Sequence, residues 1–207
     1  MEPAVRPRRK SRIRILPIVG YVLLVLGIAW FFEQQATTTI VFVRHADVDP
    51  AVDLASDPPL TERGRLRAEL LADFLANVDV VSSVDAIYTT TAKRTQQTAA
   101  PLAARLGQRL NVDDPYQVGR LVRRLFRDRK GKITLVVADA DAIPPLIAEL
   151  HGKNPLPPFG PTDYSELYIV TVPYYGKVKT LRFHYAELPA EPSGSDESAK
   201  ASFSAPP

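Results

Sequence analysis

The alternation of short apolar runs with amphipathic segments is the feature that most constrains the fold of this chain. Apolar, largely β-branched runs predict three buried strands, at residues 38–43, 84–88 and 133–138. Helical patterns predict helices at residues 61–77, 92–106 and 142–150, and a further helix carries Val118, Leu121, Val122 and Leu125 on one face. A hairpin is predicted around Gly176, between residues 166–172 and 178–185. This alternation predicts an α/β fold with a mostly parallel sheet and an antiparallel edge.

An apolar segment separates a basic N-terminus from these elements. Residues 15–32 are uncharged and would form a helix about 27 Å long, close to one hydrocarbon core. Trp30 lies near its far end, where an aromatic belt is expected. A cleaved signal peptide and a buried helix are alternatives, but a signal core runs about 7–15 residues and no small-x-small site follows here. We therefore predict an uncleaved, single-pass transmembrane anchor.

Charge is concentrated at the N-terminus, although the chain as a whole is basic. The 207 residues carry a formal net charge of +3 and a pI near 9.2, and residues 1–14 hold six basic side chains against Glu2. That segment contributes +5, so the other residues sum to −2. The positive-inside rule places residues 1–14 in the cytoplasm and the body in the periplasm or outside the cell. A slightly acidic body disfavours a nucleic-acid partner. It is expected to hold one focused positive site, Arg44 with Arg94.

Charged and nucleophilic side chains follow three of the predicted strands. The first strand ends at Arg44 and His45, the second leads into a helix that carries Arg94, and the third ends at Asp139. Ligands of such folds bind beyond the carboxyl ends of the strands. Two guanidinium groups near a helix N-terminus predict an anion site, and a histidine among them can act as a nucleophile. Taken alone, an Arg-His pair after a strand is more often incidental.

Five segments together carry a stronger signal. They are VFVRHAD at 41–47, DPPLTERG at 57–64, AIYTTTAKRTQQTAAPLAARLG at 86–107, VVADADAIPPLI at 136–147 and DYSELYIVTV at 163–172. In this order they resemble the phosphoglycerate-mutase-like branch of the histidine phosphatase superfamily, in particular its small bacterial members. The resemblance covers about residues 38–186. It implies a three-layer sandwich for that domain, and we expect residues 187–207 to form a disordered tail.

The resemblance also implies a mechanism without a metal or another cofactor. His45 would attack a phosphoryl group to give a phosphohistidine, while Arg44 and Arg94 would hold its oxygens. Asp139 is a departure, because members of the family usually carry a second histidine there. An ionised carboxylate would repel the phosphate, whereas a protonated one or a bridging cation would lower that cost.

Other residues are assigned to the same pocket with less definite roles. Asp47, Asp139 and Asp141 are the three main candidates for the general acid, and Asp113 and Asp114 are weaker ones. Tyr164 is expected either to border the pocket or to be a tyrosine of the core. The chain is thus expected to be a membrane-anchored phosphatase that hydrolyses a small phosphomonoester. A catalytically impaired pseudophosphatase that only binds a phosphorylated ligand is the main alternative, and a structural role at the membrane is a third.

Overall fold

A six-stranded sheet organises the part of the chain that follows residue 37. The computed structural model describes residues 15–33, 37–77, 84–128, 130–151, 159–160, 163–173, 176–185 and 188. The strands are β1 (Thr38–Arg44), β2 (Ala86–Thr89), β3 (Leu110–Val112), β4 (Ile133–Ala138), β5 (Glu166–Val172) and β6 (Lys179–His184). Their order is β3-β2-β4-β1-β5-β6, with the first four parallel and β5 and β6 antiparallel. The predicted mostly parallel sheet with an antiparallel edge is confirmed.

Helices cover both faces of this sheet. The α-helices are α1 (Ile15–Glu33), α2 (Glu62–Asn77), α3 (Lys93–Leu106), α4 (Val118–Asp128) and α5 (Ile143–His151). Strand side chains alternate between faces, so Val41 and Val43 pack with residues of α2 and α3, whereas Ile40 and Phe42 pack with residues of α4 and α5. The described body is therefore a three-layer sandwich with an apolar core on each side of the sheet.

Helix α1 coincides with the predicted anchor. Its described side chains are those of residues 17–30, and all of them are exposed. Counting only the residues that the structure describes, no helix is long and apolar enough to cross a membrane. The transmembrane part of the predicted fold is thus not supported by the structure. The basic segment at 1–14 lies outside the described residues.

Two elements differ from the sequence prediction. Strand β2 begins at Ala86 rather than at residue 84, and β3 was not predicted at all. The three residues of β3 are too few for a periodic pattern, and the strand forms by pairing in parallel with β2, Ile87 opposite Leu110. Of the predicted tail at 187–207, only Leu188 is described, and its carbonyl accepts a hydrogen bond from Arg63 at 3.3 Å.

Candidate active site

The carboxyl ends of β1 and β4 bring the predicted site residues together. Arg44 pairs in register with Ala138, and the backbone N–H of His45 donates to the Ala138 carbonyl at 3.1 Å. Asp139 therefore follows β4 beside His45. The side chains of His45, Arg44 and Arg94 are buried, and that of Asp139 is 13% exposed. The structure thus places all four residues at one edge of the sheet, as the strand ends predicted.

The ring of His45 is held in one tautomer. Its Nδ1 lies 2.8 Å from the carbonyl oxygen of Ala46. Because a carbonyl only accepts, Nδ1 carries the proton and Nε2 presents a lone pair. Burial lowers the pKa of His45, opposed by the Ala46 hydrogen bond and by the charge of Asp139. A neutral imidazole with a bare Nε2 is the form that can attack phosphorus.

Asp139 occupies the space in front of this nitrogen. Its Oδ1 lies 3.7 Å from Nε2 of His45, which is too long for a hydrogen bond, and accepts a hydrogen bond from Nε of Arg94 at 2.7 Å. An attacking nitrogen needs its phosphorus about 3–3.5 Å away. The carboxylate oxygen therefore lies between His45 and Arg94, close to where a phosphoryl group would bind.

A second carboxylate lies at the N-terminus of α3. Asp57 adopts a left-handed backbone conformation, φ 55°, and its Oδ1 accepts from the backbone N–H of Lys93 at 2.8 Å. The same oxygen is 3.9 Å from Nη1 of Arg94, which also donates to the Leu54 carbonyl at 3.1 Å. Asp57 thus caps the helix end that the sequence assigned to an incoming anion.

Arg44 is fixed from the opposite side. Its Nη1 donates to the carbonyl of Gly160 at 2.9 Å, and its guanidinium carbon lies 4.2 Å from the ring centre of Tyr164. The Tyr164 ring is also 5.9 Å from that of His45. A cation over an aromatic face is stabilised by the quadrupole of the ring. The expectation that Tyr164 borders the pocket agrees with these two contacts.

The polar residues after Arg94 in α3 hold the site in place. Thr98 accepts a hydrogen bond from the backbone N–H of Ala46 at 2.9 Å and donates to the Arg94 carbonyl at 2.7 Å. Gln97 accepts from the backbone N–H of Leu60 at 2.8 Å. Thr98 thereby ties the residue after His45 to the helix that carries Arg94.

Asp47 has a structural role in the described residues. Its carboxylate accepts hydrogen bonds from Arg67 at 2.5 and 3.2 Å, and Arg63 lies 3.4 Å away. Its backbone carbonyl accepts from Thr61, whose hydroxyl caps α2 by accepting from the N–H of Gly64 at 3.1 Å. The structure therefore links Asp47 to α2, so its carboxylate is already engaged by two arginines.

Asp141 lies at the rim of the site. It is exposed, and both its oxygens accept from the hydroxyl of Tyr116 at 3.1 Å. Burial, with the charges of Asp141 and Asp139, raises the pKa of Tyr116 to about 12. Sequence reasoning missed Tyr116, since a tyrosine in the loop after β3 carries no motif. Asp57 was missed as well, although it stands inside a quoted segment.

The other histidines interact elsewhere. His151 Nε2 contacts the hydroxyl of Thr180, and His184 Nε2 lies 3.3 Å from Glu166. These partners lie on β5 and β6, at the antiparallel edge of the sheet. Both histidines are thus engaged at this antiparallel edge, and neither occupies the position after β4 where Asp139 stands.

Residues 40–115 match the model of the histidine phosphatase superfamily, branch 1. The predicted resemblance is confirmed. No curated protein matches the sequence. The segment that matches the superfamily includes Arg44, His45 and Arg94, whereas Asp139 lies beyond it.

Solved structures with the same fold are only distantly similar in sequence. A mycobacterial glucosyl-3-phosphoglycerate phosphatase in complex with inorganic phosphate is 17% identical, with a TM-score of 0.56, and the match covers 72% of this chain and 97% of that one. The protein histidine phosphatase SixA complexed with tungstate is 22% identical, with a TM-score of 0.56, over 70% of this chain and 96% of that one. At these identities the likeness establishes a shared fold.

Proposed function

We propose that this protein is a phosphatase that hydrolyses a small phosphomonoester through a phosphohistidine on His45. The observation that carries the proposal is the orientation of that ring, whose unprotonated Nε2 faces the same space as Arg94 and Asp139. The superfamily match and the solved relatives support a phosphatase at this general level.

The reaction would proceed in two displacements. In the first, Nε2 of His45 forms a bond to phosphorus while the bond to the leaving oxygen breaks, and that oxygen takes a proton from an acid. In the second, the oxygen of a water molecule forms a bond to phosphorus while the bond between phosphorus and Nε2 breaks, and the water's proton passes to the conjugate base of the acid that acted in the first step. Arg44 and Arg94 would stabilise the equatorial oxygens, so that catalysis is mostly positioning and charge stabilisation.

Asp139 is the strongest of the three candidates for the acid. It lies 3.7 Å from Nε2, whereas Asp47 is held by Arg67 and Asp141 by Tyr116. The same placement supports the second candidate function, a pseudophosphatase, because an ionised Asp139 bound to Arg94 competes with phosphate for that guanidinium. Turnover therefore requires Asp139 to carry a proton or to leave Arg94.

A cavity of about 450 Å³ lies beside the site and offers space for the remainder of the substrate. It is lined by the loop from Asp49 to Thr61, including Asp57, and by Lys93. Its size is in the lower part of the range for small-molecule sites.

The test of catalysis is phosphate release from an aryl phosphate by the full chain in detergent. We expect activity that His45→Ala abolishes and that His151→Ala, the matched control, leaves intact. Equal rates for the wild type and His45→Ala would refute the phosphohistidine mechanism. If the wild type is silent and Asp139→His gains activity, the protein is a pseudophosphatase.

We further propose that the protein is attached to the cytoplasmic membrane through residues 15–32, with its body on the far side. This is supported by the basic segment that precedes this apolar run of the sequence. Leu24→Arg should release the chain from vesicles, because arginine at the centre of a span costs about 3 kcal/mol. Unchanged flotation of that variant would count against the anchor.

A further inference from the structure

A row of arginines on α4 is used neither by the site nor by the core. Arg120, Arg123, Arg124 and Arg127 are exposed and follow the spacing i, i+3, i+4, i+7, so they share one side of the helix. Together with Lys130 and Lys132 in the following turn, we call them the α4 basic surface. The opposite side of the helix, with Leu121, Val122 and Leu125, is buried in the core.

This surface changes the charge distribution assigned from the sequence. Residues 118–132 hold seven basic side chains and one acidic one, a net of +6. Since the chain beyond residue 14 sums to −2, the rest of it carries −8. The prediction of a single focused positive site, Arg44 with Arg94, was therefore wrong. The error arose because the net charge of the body conceals two large and opposite contributions.

The arginines of this surface are held in a groove. Asp113, whose side chain is 5% exposed, accepts from Arg120 at 3.0 Å and from Arg124 at 2.8 Å. The groove has a volume of about 630 Å³, and Arg123, Arg127 and Asp128 also line it. The carboxylate of Asp128 lies 3.0 Å from Nε of Arg127, so four arginines of the groove face two carboxylates. Because Asp113 orders two guanidinium groups in advance, less side-chain entropy is lost when an anion binds.

The same surface lies near the point where α1 joins the body. The backbone N–H of Thr39 donates to the carbonyl of Lys132 at 3.1 Å, and that of Gly131 donates to the hydroxyl of Thr38 at 3.0 Å. Four residues lie between Thr38 and Glu33, the last residue of α1, so these two points are five residue steps and at most about 18 Å apart. The end of the α4 basic surface at Lys132 is thus tethered close to the apolar helix, whereas Arg120 lies in the first turn of α4, at the other end of that helix.

We propose that the α4 basic surface binds the anionic phosphate headgroups of the membrane that receives α1. Guanidinium forks match phosphate oxygens, and clusters of four or more basic residues beside a membrane segment bind acidic lipids. The other residues beyond position 14, with a net charge of −8, are repelled by such a membrane. The surface therefore orients the body, and it rests on the membrane attachment proposed above.

The test uses the full chain in vesicles that contain a nitroxide headgroup lipid. Because the chain has no cysteine, Val112→Cys introduces a single fluorescent label inside the groove. We expect stronger quenching in vesicles with phosphatidylglycerol than in phosphatidylcholine alone, and loss of the difference near 1 M salt, where the Debye length is about 3 Å.

Two matched double variants distinguish binding at the α4 basic surface from a general effect of the protein's net charge. Arg123→Gln with Arg127→Gln should lower the ratio of headgroup-bound to free orientations about thirtyfold, since each basic residue near an anionic membrane contributes about fivefold. Arg65→Gln with Lys179→Gln removes the same charge elsewhere and should leave quenching unchanged.

Three results would overturn the proposal. They are equal quenching in neutral and anionic vesicles, equal effects of the two double variants, and a label that responds to inorganic tripolyphosphate in solution but not to anionic vesicles. Flotation in neutral vesicles is measured in parallel, so that failure of the α1 attachment itself is recognised separately.

Discussion

Replacing Asp139 by asparagine removes the negative charge in front of His45 at nearly constant volume. Oδ1 lies 3.7 Å from Nε2 of His45, so a bound phosphoryl oxygen would be about 4 Å from the carboxylate. At an effective dielectric of 20, two like charges at that distance repel by about 4 kcal/mol, or about a thousandfold in a binding constant. The variant also frees Nε of Arg94 for the ligand. We therefore expect Asp139→Asn to bind orthovanadate at least a hundredfold more tightly.

Isothermal titration of the full chain with orthovanadate measures this effect. Asp141→Asn is the control, because that exposed carboxylate lies at the rim on Tyr116 and should change the affinity by less than about threefold. Thermal unfolding of both variants shows whether the fold is retained. An unchanged or weaker affinity for Asp139→Asn would refute the view that this carboxylate competes with phosphate.

Three further predictions test the pH dependence and the local packing. Because burial lowers the pKa of His45, the unfolded state binds a proton at this histidine more readily than the folded state does. The free energy of unfolding should therefore fall as the pH drops below about 6.5, and it should fall less in His45→Gln. Urea unfolding at several pH values measures this difference. Gly64→Ala should lower the free energy of unfolding by about 2 kcal/mol, because the added Cβ would lie 2.2 Å from the backbone oxygen of Asp47. Gly119→Ala should change it by no more than about 1 kcal/mol. Denaturant melts that show equal effects of the two substitutions would contradict this prediction. Thr98→Val should lower the free energy of unfolding by about 1–3 kcal/mol and reduce activity, because the buried N–H of Ala46 loses its acceptor. Thr98→Ser keeps the hydroxyl and should retain both stability and activity. Unfolding and phosphate-release assays measure the two effects.

The parts of the fold that the sequence predicted are those that leave a periodic signal. Strand β4 was predicted at its observed bounds, because every residue from 134 to 138 is buried and apolar or β-branched. The helix predicted at residues 61–77 is likewise observed as α2, and Thr61 caps its first turn. Three-residue β3 carries no such signal, since it exists only through its pairing with β2.

The candidate site was predictable in its members but not in its contacts. The order of the parallel strands brings His45 and Asp139 to one edge, which a topology argument can anticipate. The pairing of Arg94 with Asp139, and of Asp47 with Arg67, depends on side-chain directions that no spacing encodes. The sequence therefore identified the acids without showing which of them face His45.

The carboxylates around Arg94 set a condition on any ligand of this site. With His45 neutral, the charges of Arg44 and Arg94 are balanced by Asp139 and Asp57, which lie 2.7 and 3.9 Å from Arg94. A phosphate dianion therefore enters a site without net positive charge, unless a proton or a cation accompanies it. Asp57 also caps α3, so displacing it would expose a helix N-terminus. In the part of the chain that the structure describes, the carboxylate of Asp139 accepts a hydrogen bond from Arg94 alone. Asp139 is thus the group that must change first, and its substitution separates a working phosphatase from a binding module more directly than any other change at the site.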